Sequence, residues 1–184
     1  MADQLPLPQP GLTRESPRWS ETLRDRRRVW IRPLVPEDAE AERAFIEGLS
    51  AQTRRDRFHG QMRSPGTALL QRLTRIDQVH DVAFAAVVPE DSHQRIVGVS
   101  RYSLADDGRQ CECAVVVSDD WQGCGLGTVL MRHLIEHARR QGVIRMVSVD
   151  AAENARMHDF AGRLGFETEM DPEDATRVVH TLDL

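Results

Sequence analysis

The chain has 184 residues, 40% of them hydrophobic and 29% charged, with a formal net charge of −5 at pH 7 and a pI near 5.8. This is the length of one domain with a sizeable core and the mixture of a soluble globular protein. The acidic balance argues against general nucleic-acid binding, and no apolar run approaches the ~20 residues of a membrane span.

Residues 1 to about 26 are rich in proline and in polar and charged residues, without sustained periodicity, and predict a tail, part of it disordered. Arg24, Arg26, Arg27 and Arg28 form a basic cluster there, read as a solvated entry to the first strand in preference to a binding patch. The start lacks a basic region followed by an apolar one, so no signal peptide is expected. "RVWIRPL" (28–34) alternates and is β-branched, which predicts a strand. Pro36, Glu37 and Asp38 then suit a helix start, because proline fits the first turn and acids favour the positive end of the dipole. "AEAERAFIEGL" carries Ala41, Ala44, Phe45 and Leu49 at helical spacing, and two more helical pieces follow at about 51–58 and 66–76.

Apolar strands are expected at 81–89 and 95–105, joined by a hairpin around His93, and after the turn "DDG" (106–108) at 110–118. A long helix opens at a glycine loop and runs to about Gln141, stopped by Gly142. A strand at 144–150 leads to a helix at 154–165, with Asn154 as N-cap and Gly165 as its stop. "FETEM" and "TRVVHTLDL" read as two last strands. No internal repeat or second domain is visible. One folded unit, 27–184, follows the tail, and its element order is that of a mixed α/β sandwich.

The glycine loop, "QGCGLG" (122–127), is the most specific stretch. A Walker A loop requires Gly-Lys-Ser/Thr, and the chain contains no lysine at all; its 24 cationic residues are all arginine. Genome composition bias accounts for that, although it also leaves the protein no side-chain amine to offer an acylating reagent. A Rossmann loop places its third glycine one position later and opens its domain, so Asp150 as a ribose partner is not favoured. The pattern Q/R-x-x-G-x-G/A fits fully. Small residues let the backbone approach a pyrophosphate, and unpaired N–H groups at a helix start donate to its oxygens. A tight packing turn is the plain alternative, but three alternating glycines are entropically costly without a ligand.

"AVVVSDDWQGCGLGTVLMRHL" and "ENARMHDFAGRLGF" resemble the two cofactor segments of the GNAT superfamily of acetyl-CoA-dependent N-acyltransferases. "VWIRPLVPEDAEAERAFIEGLSAQTRRDRFHG" is similar to the opening of the GNAT domain of bacterial protein lysine acetyltransferases. The resemblance covers about 28–184. It implies an α/β fold of mixed α+β type: a central, mostly antiparallel, twisted sheet of six to seven strands flanked by helices and splayed at its fourth and fifth strands. It implies acetyl-CoA as co-substrate and no metal. Val115, Val116 and Val117 would pair with the pantetheine arm as a β-partner does. Gln122, Gly123, Cys124, Gly125, Leu126, Gly127 and Thr128 would hold the pyrophosphate, and Asn154 would face the arm, with Arg156 or Met157 nearby. The partner expected is an acceptor amine, small molecule or protein lysine; a homodimer is compatible, and neither nucleic acid nor membrane is expected.

Acyl transfer requires a base for the ammonium, a stabiliser for the oxyanion and a proton for the leaving thiolate. Glu112 is the candidate base. It interrupts an otherwise apolar strand, where a carboxylate is costly unless paired or functional, and partial burial would ready it to take a proton. The lysine-acetyltransferase branch has a glutamate base at the matching place. A backbone N–H near Val117 would serve the oxyanion. The family's usual tyrosine acid falls at Ala161, so that step would rely on water or on the acidity of the thiol. A sensor that binds acyl-CoA without turnover is the alternative to an enzyme.

Three other features compete. "HLIEH" (133–137) matches a zinc-peptidase pattern, but no downstream ligand is evident. Cys124 sits at a helix start that would favour a thiolate, without a His/Asp partner pattern. His59 is read as lining a loop or acceptor groove. Cys111, Cys113 and Cys124 are read as free thiols in a reducing cytoplasm.

Overall fold

The computed structural model describes residues 18–58, 64–91 and 93–184. Its strands are β1 (Trp19–Thr22), β2 (Arg28–Pro33), β3 (Asp81–Glu90), β4 (His93–Leu104), β5 (Gln110–Val117), β6 (Arg145–Ala151), β7 (Glu167–Met170) and β8 (Arg177–Asp183). Its helices are α1 (Ala39–Gly48), α2 (Ala51–Phe58), α3 (Thr67–Thr74), α4 (Leu126–Arg140) and α5 (Ala155–Arg163). The strands form one sheet in the order β1-β2-β3-β4-β5-β6-β8-β7, antiparallel except where β5 meets β6.

β1 corrects the expected tail. Trp19 and Glu21 face inward and Ser20 and Thr22 outward, too short an alternation to read in sequence. The Trp19 ring meets Phe84 edge-on at 5.6 Å, and Glu21 accepts hydrogen bonds from Arg132 and His133, both at 2.8 Å. Residues 1–17 lie outside the described residues, as does His59.

Two cores sandwich the sheet. On one face α4 and α5 cover Phe84, Tyr102, Cys113 and Met146 with Leu126, Leu130, Leu134 and Ala161. On the other, α1 and α3 cover Ala83, Ala85, Ile96, Val99 and Val116 with Phe45, Ile46, Leu70 and Leu73. Burial on both sides explains why β3 reads as a continuous apolar run. Gly98 lets α4 approach the sheet: a Cβ there would stand 2.9 Å from Leu130 Cδ1.

The entry to α1 is fixed by an ion pair. Arg32, on β2, donates to both carboxylate oxygens of Asp38 at 2.7 and 2.8 Å and to Gln94 Oε1 at 3.1 Å. The Val35 N–H also donates to Asp38. Arg32 and Asp38 are only 1% and 2% exposed, so removing one partner strands a buried charge. Asp38→Ala is expected to cost about 3–5 kcal/mol in urea unfolding. A loss under about 1 kcal/mol, the scale of a surface pair, would contradict this.

Candidate functional site

β5 and β6 pair over three positions only: Gln110 with Arg145, Cys111 with Met146 and Glu112 with Val147. Beyond Glu112 the strands part. β5 stays on β4 as far as Val117 opposite Gly98, while β6 stays on β8 through Ala151 opposite Arg177. These are the fourth and fifth of the expected strands, and the splay lies between them. The Ser118 N–H donates to Val97 O at 3.0 Å, so alternation along the strand turns the backbone groups of Val115 and Val117 into the gap. Val116 presents its own toward β4 and buries its side chain in the α1–α3 core.

The gap is a cleft of about 490 Å³. Residues 112–117 form one wall and 148–150 the other; the glycine loop, Asn154 and Met157 line it too, as do the α2 residues Gln52, Thr53, Asp56 and Arg57.

The glycines have separate causes. Gly123 and Gly125 take left-handed φ values of 76° and 94°, which a side chain would strain. Gly127 has ordinary geometry, but a Cβ would lie 3.3 Å from the Phe160 ring, so it sets the approach of α4 to α5. Among the described residues, the amides of 123–128 donate to no protein acceptor. They form an open cradle at the start of a 15-residue helix, suited to an anion. That cradle, beside free strand edges, fits the phosphates and amide-rich arm of coenzyme A.

The expected contacts divide by role. Gln122 is turned back onto the protein: its amide donates to Val117 O at 3.1 Å and Thr53 Oγ1 at 3.3 Å, and Oε1 accepts from Arg156 at 2.8 Å. Cys124 is buried, with Sγ donating to Trp121 O at 2.8 Å, a packed thiol rather than an exposed nucleophile. Asn154 caps α5 through Oδ1, which accepts the Met157 N–H at 3.2 Å, leaving its Nδ2 donors for the cleft. Met157 is half-buried in the wall.

Glu112 lines the cleft at the point of divergence, and alternation puts its side chain on the α1–α3 face. It is exposed rather than partly buried, because the parting strands open the position to solvent. Arg57 lines the same cleft; burial, reinforced by repulsion from Arg101, holds it down to about 10, while Glu42, Glu112 and Asp150 favour its charge. Ala161 is buried and brings no hydroxyl. Tyr102 bonds His137 Nδ1 at 3.1 Å beneath α4, and burial pushes its hydroxyl up to about 12.

The rest of "HLIEH" is engaged piecemeal, His133 by Glu21 and Glu136 by Arg140 at 3.5 Å. Cys111 and Cys113 are buried free thiols, and burial pushes Cys111 up to about 12 and Cys113 higher still.

Sequence reasoning missed Arg24, Arg57, Ser148 and His180, all of which line the cleft. Ser148 Oγ donates to Asp150 Oδ2 at 2.7 Å, and His180 Nε2 stands 3.7 Å from that oxygen. Only the position of Asp150, at the end of a strand, hinted at this group.

A sheet parted between two parallel strands, with a free-amide cradle at the mouth, is the architecture of acyl-CoA-dependent N-acyltransferases. Residues 46–166 match the model of the Acetyltransferase (GNAT) family, and the chain belongs to that family of acetyl-CoA-dependent N-acetyltransferases. It is 50% identical to acetyltransferase PA5475 of Pseudomonas aeruginosa over 170 residues, 92% of this chain and 91% of that protein. The fold matches the GNAT domain of PAT from S. lividans with a TM-score of 0.83 at 24% identity, covering 91% of this chain and 97% of that one. It also matches yncA from Salmonella typhimurium, solved with its cofactor acetyl-CoA, with a TM-score of 0.66 at 20% identity over 85% and 94% of the two chains.

Burial holds His137 and His180 below the ordinary histidine value of 6.5; Arg140 adds to this at His137, while at His180 Asp150 opposes it and His158 adds to it. Both stay neutral in the fold while the unfolded chain takes up protons as pH falls through that value. Stability therefore falls with acidification. Glu42, pushed up by burial, acts with the opposite sign, so the diagnostic is a difference between proteins. From pH 7.5 to 5.5 the melting temperature of wild type should fall more steeply than that of His180→Gln; equal slopes would contradict the assignment.

Proposed function

We propose that this enzyme moves an acetyl group from acetyl-CoA to an amine, a protein lysine or a small molecule, by direct attack, with Glu112 as general base. The observation that carries this reading is the placement of Glu112: a carboxylate at the fork of β5 and β6, facing away from the glycine cradle side of the sheet. The acceptor would enter over the α1–α3 face beside α2, opposite the cofactor's entry. Glu112 accepts the ammonium proton so that the neutral amine can attack. The Val117 N–H, directed into the gap, donates to the oxygen that gains charge. Arg57 supplies positive charge near Glu112 at every working pH. Ala161 has no proton to give, so the departing thiolate takes its proton from water.

On the cofactor side, Val115 bonds the pantetheine arm, with Val117 next along the same edge and Val116 behind, and the amides of 123–128 hold the pyrophosphate. Gln122 holds the loop's shape, and Asn154 and Met157 flank the arm. Among the described residues no helix is long and apolar enough to cross a membrane, and the buried free thiols suit a reducing compartment such as the cytoplasm.

Glu112→Gln should keep its affinity for acetyl-CoA and lose about 10²- to 10⁴-fold in kcat/KM at pH 7, recovering at alkaline pH as the acceptor deprotonates itself. The assay is radiolabelled acetyl transfer to amino acids, polyamines, aminoglycosides and lysine-containing proteins; with no lysine in the chain, side-chain self-acetylation adds no background. Wild-type rates in the variant would remove Glu112 as the base. Binding without transfer to any acceptor by the wild-type protein would favour a sensor.

A further inference from the structure

The turn between β1 and β2 lies outside residues 46–166, the part matched by the family model, yet it is built against the glycine loop. Leu23 anchors it in the α4 core. The Arg24 N–H donates to Cys124 O at 3.2 Å. Arg27 lies 3.9 Å over the Trp121 ring and donates to Asp120 O at 3.1 Å, while Asp25 holds its Nε at 2.7 Å.

The Arg24 side chain runs alongside Gly125: a Cβ there would stand 3.5 Å from Arg24 Cγ, Cδ and Nε. Arg24 is exposed and lines the cleft. Arg27 bonds Asp25 and Asp120, and Arg156 bonds Gln122, whereas among the described residues no hydrogen bond or ion pair engages the Arg24 guanidinium. An uncommitted cation therefore borders a row of uncommitted amides.

We propose that Arg24 is a phosphate-binding residue of the cofactor site, its guanidinium completing the cradle formed by the amides of 123–128 and pairing with the nucleotide phosphates of coenzyme A. This rests on the coenzyme A reading of the cleft. It gives the N-terminal hairpin a function: the backbone bond to Cys124 sets the side chain beside Gly125, and the Arg27 stack holds the turn. An arginine suits the task because its planar fork can bond two phosphate oxygens at once.

The test is titration calorimetry of wild type, Arg24→Gln and Arg24→Lys with coenzyme A and with 3′-dephospho-coenzyme A, alongside thermal unfolding. Arg24→Gln keeps the backbone bond to Cys124. It should bind coenzyme A about 10-fold or more weakly at an unchanged melting temperature, with Arg24→Lys recovering part of the loss. A loss that persists with the dephospho compound assigns the contact to the pyrophosphate, and a loss that vanishes assigns it to the 3′-phosphate; both support the proposal. Wild-type affinity in Arg24→Gln overturns it, as does a weakening matched by a fall in melting temperature and not relieved by lysine. Failure of wild type to bind coenzyme A would instead remove the cofactor reading on which the proposal rests.

Discussion

The structure turns on where one strand pairing stops. β5 and β6 run parallel for three positions and separate after Glu112 and Val147. Each is held on its far side, β5 by β4 and β6 by β8 along its whole length, so sheet twist carries them apart once their mutual bonds end. Backbone groups that a continuous sheet would consume are left facing a cleft. Unpaired backbone donors and acceptors require partners, and here they are presented as a row that an extended, amide-bearing ligand can complete. The same fork delivers Glu112 to the cleft, at the line where the α4–α5 side of the sheet gives way to the α1–α3 side.

Buried polar groups stand on both sides of the fork. Glu42 is 2% exposed and bonds Arg101 through one oxygen at 3.1 Å. His180 is 1% exposed, with Nδ1 on Thr168 at 2.8 Å and Nε2 facing Asp150. Glu42 Oε2 and His180 Nε2 make no hydrogen bond. Native proteins leave few such atoms; His180 lines the cleft, and Glu42 acts on the charge of Arg57, which lines it too. The buried Arg32–Asp38 pair, by contrast, has its donors and acceptors hydrogen-bonded.

Much of this was legible in the sequence where a local pattern has one physical cause. The strands at β2 to β6 follow from apolar runs and turns, α4 and α5 from periodicity and stops. The glycine loop could be told from Walker and Rossmann loops by spacing and by the lack of lysine. The illegible parts depend on tertiary placement. Four residues at β1 show no periodicity, and the inward turn of Trp19 and Glu21 appears only against Phe84, Arg132 and His133. The exposure of Glu112 follows from a strand divergence some 35 residues apart in the chain, between Glu112 and Val147. The three glycines look equivalent in sequence, but two serve backbone conformation and the third serves Phe160. Arg24 read as one of four solvated arginines until the hairpin placed it at Gly125.

Hydrogen exchange with and without coenzyme A tests the fork most directly, because it reads the amides themselves. On binding, Val115, Val117 and residues 123–128 should gain protection, while Glu112, whose backbone already pairs with β4, should change little. Protection confined to other parts of the chain, or none at these amides at saturating ligand, would contradict the claim that the gap between β5 and β6 holds the cofactor.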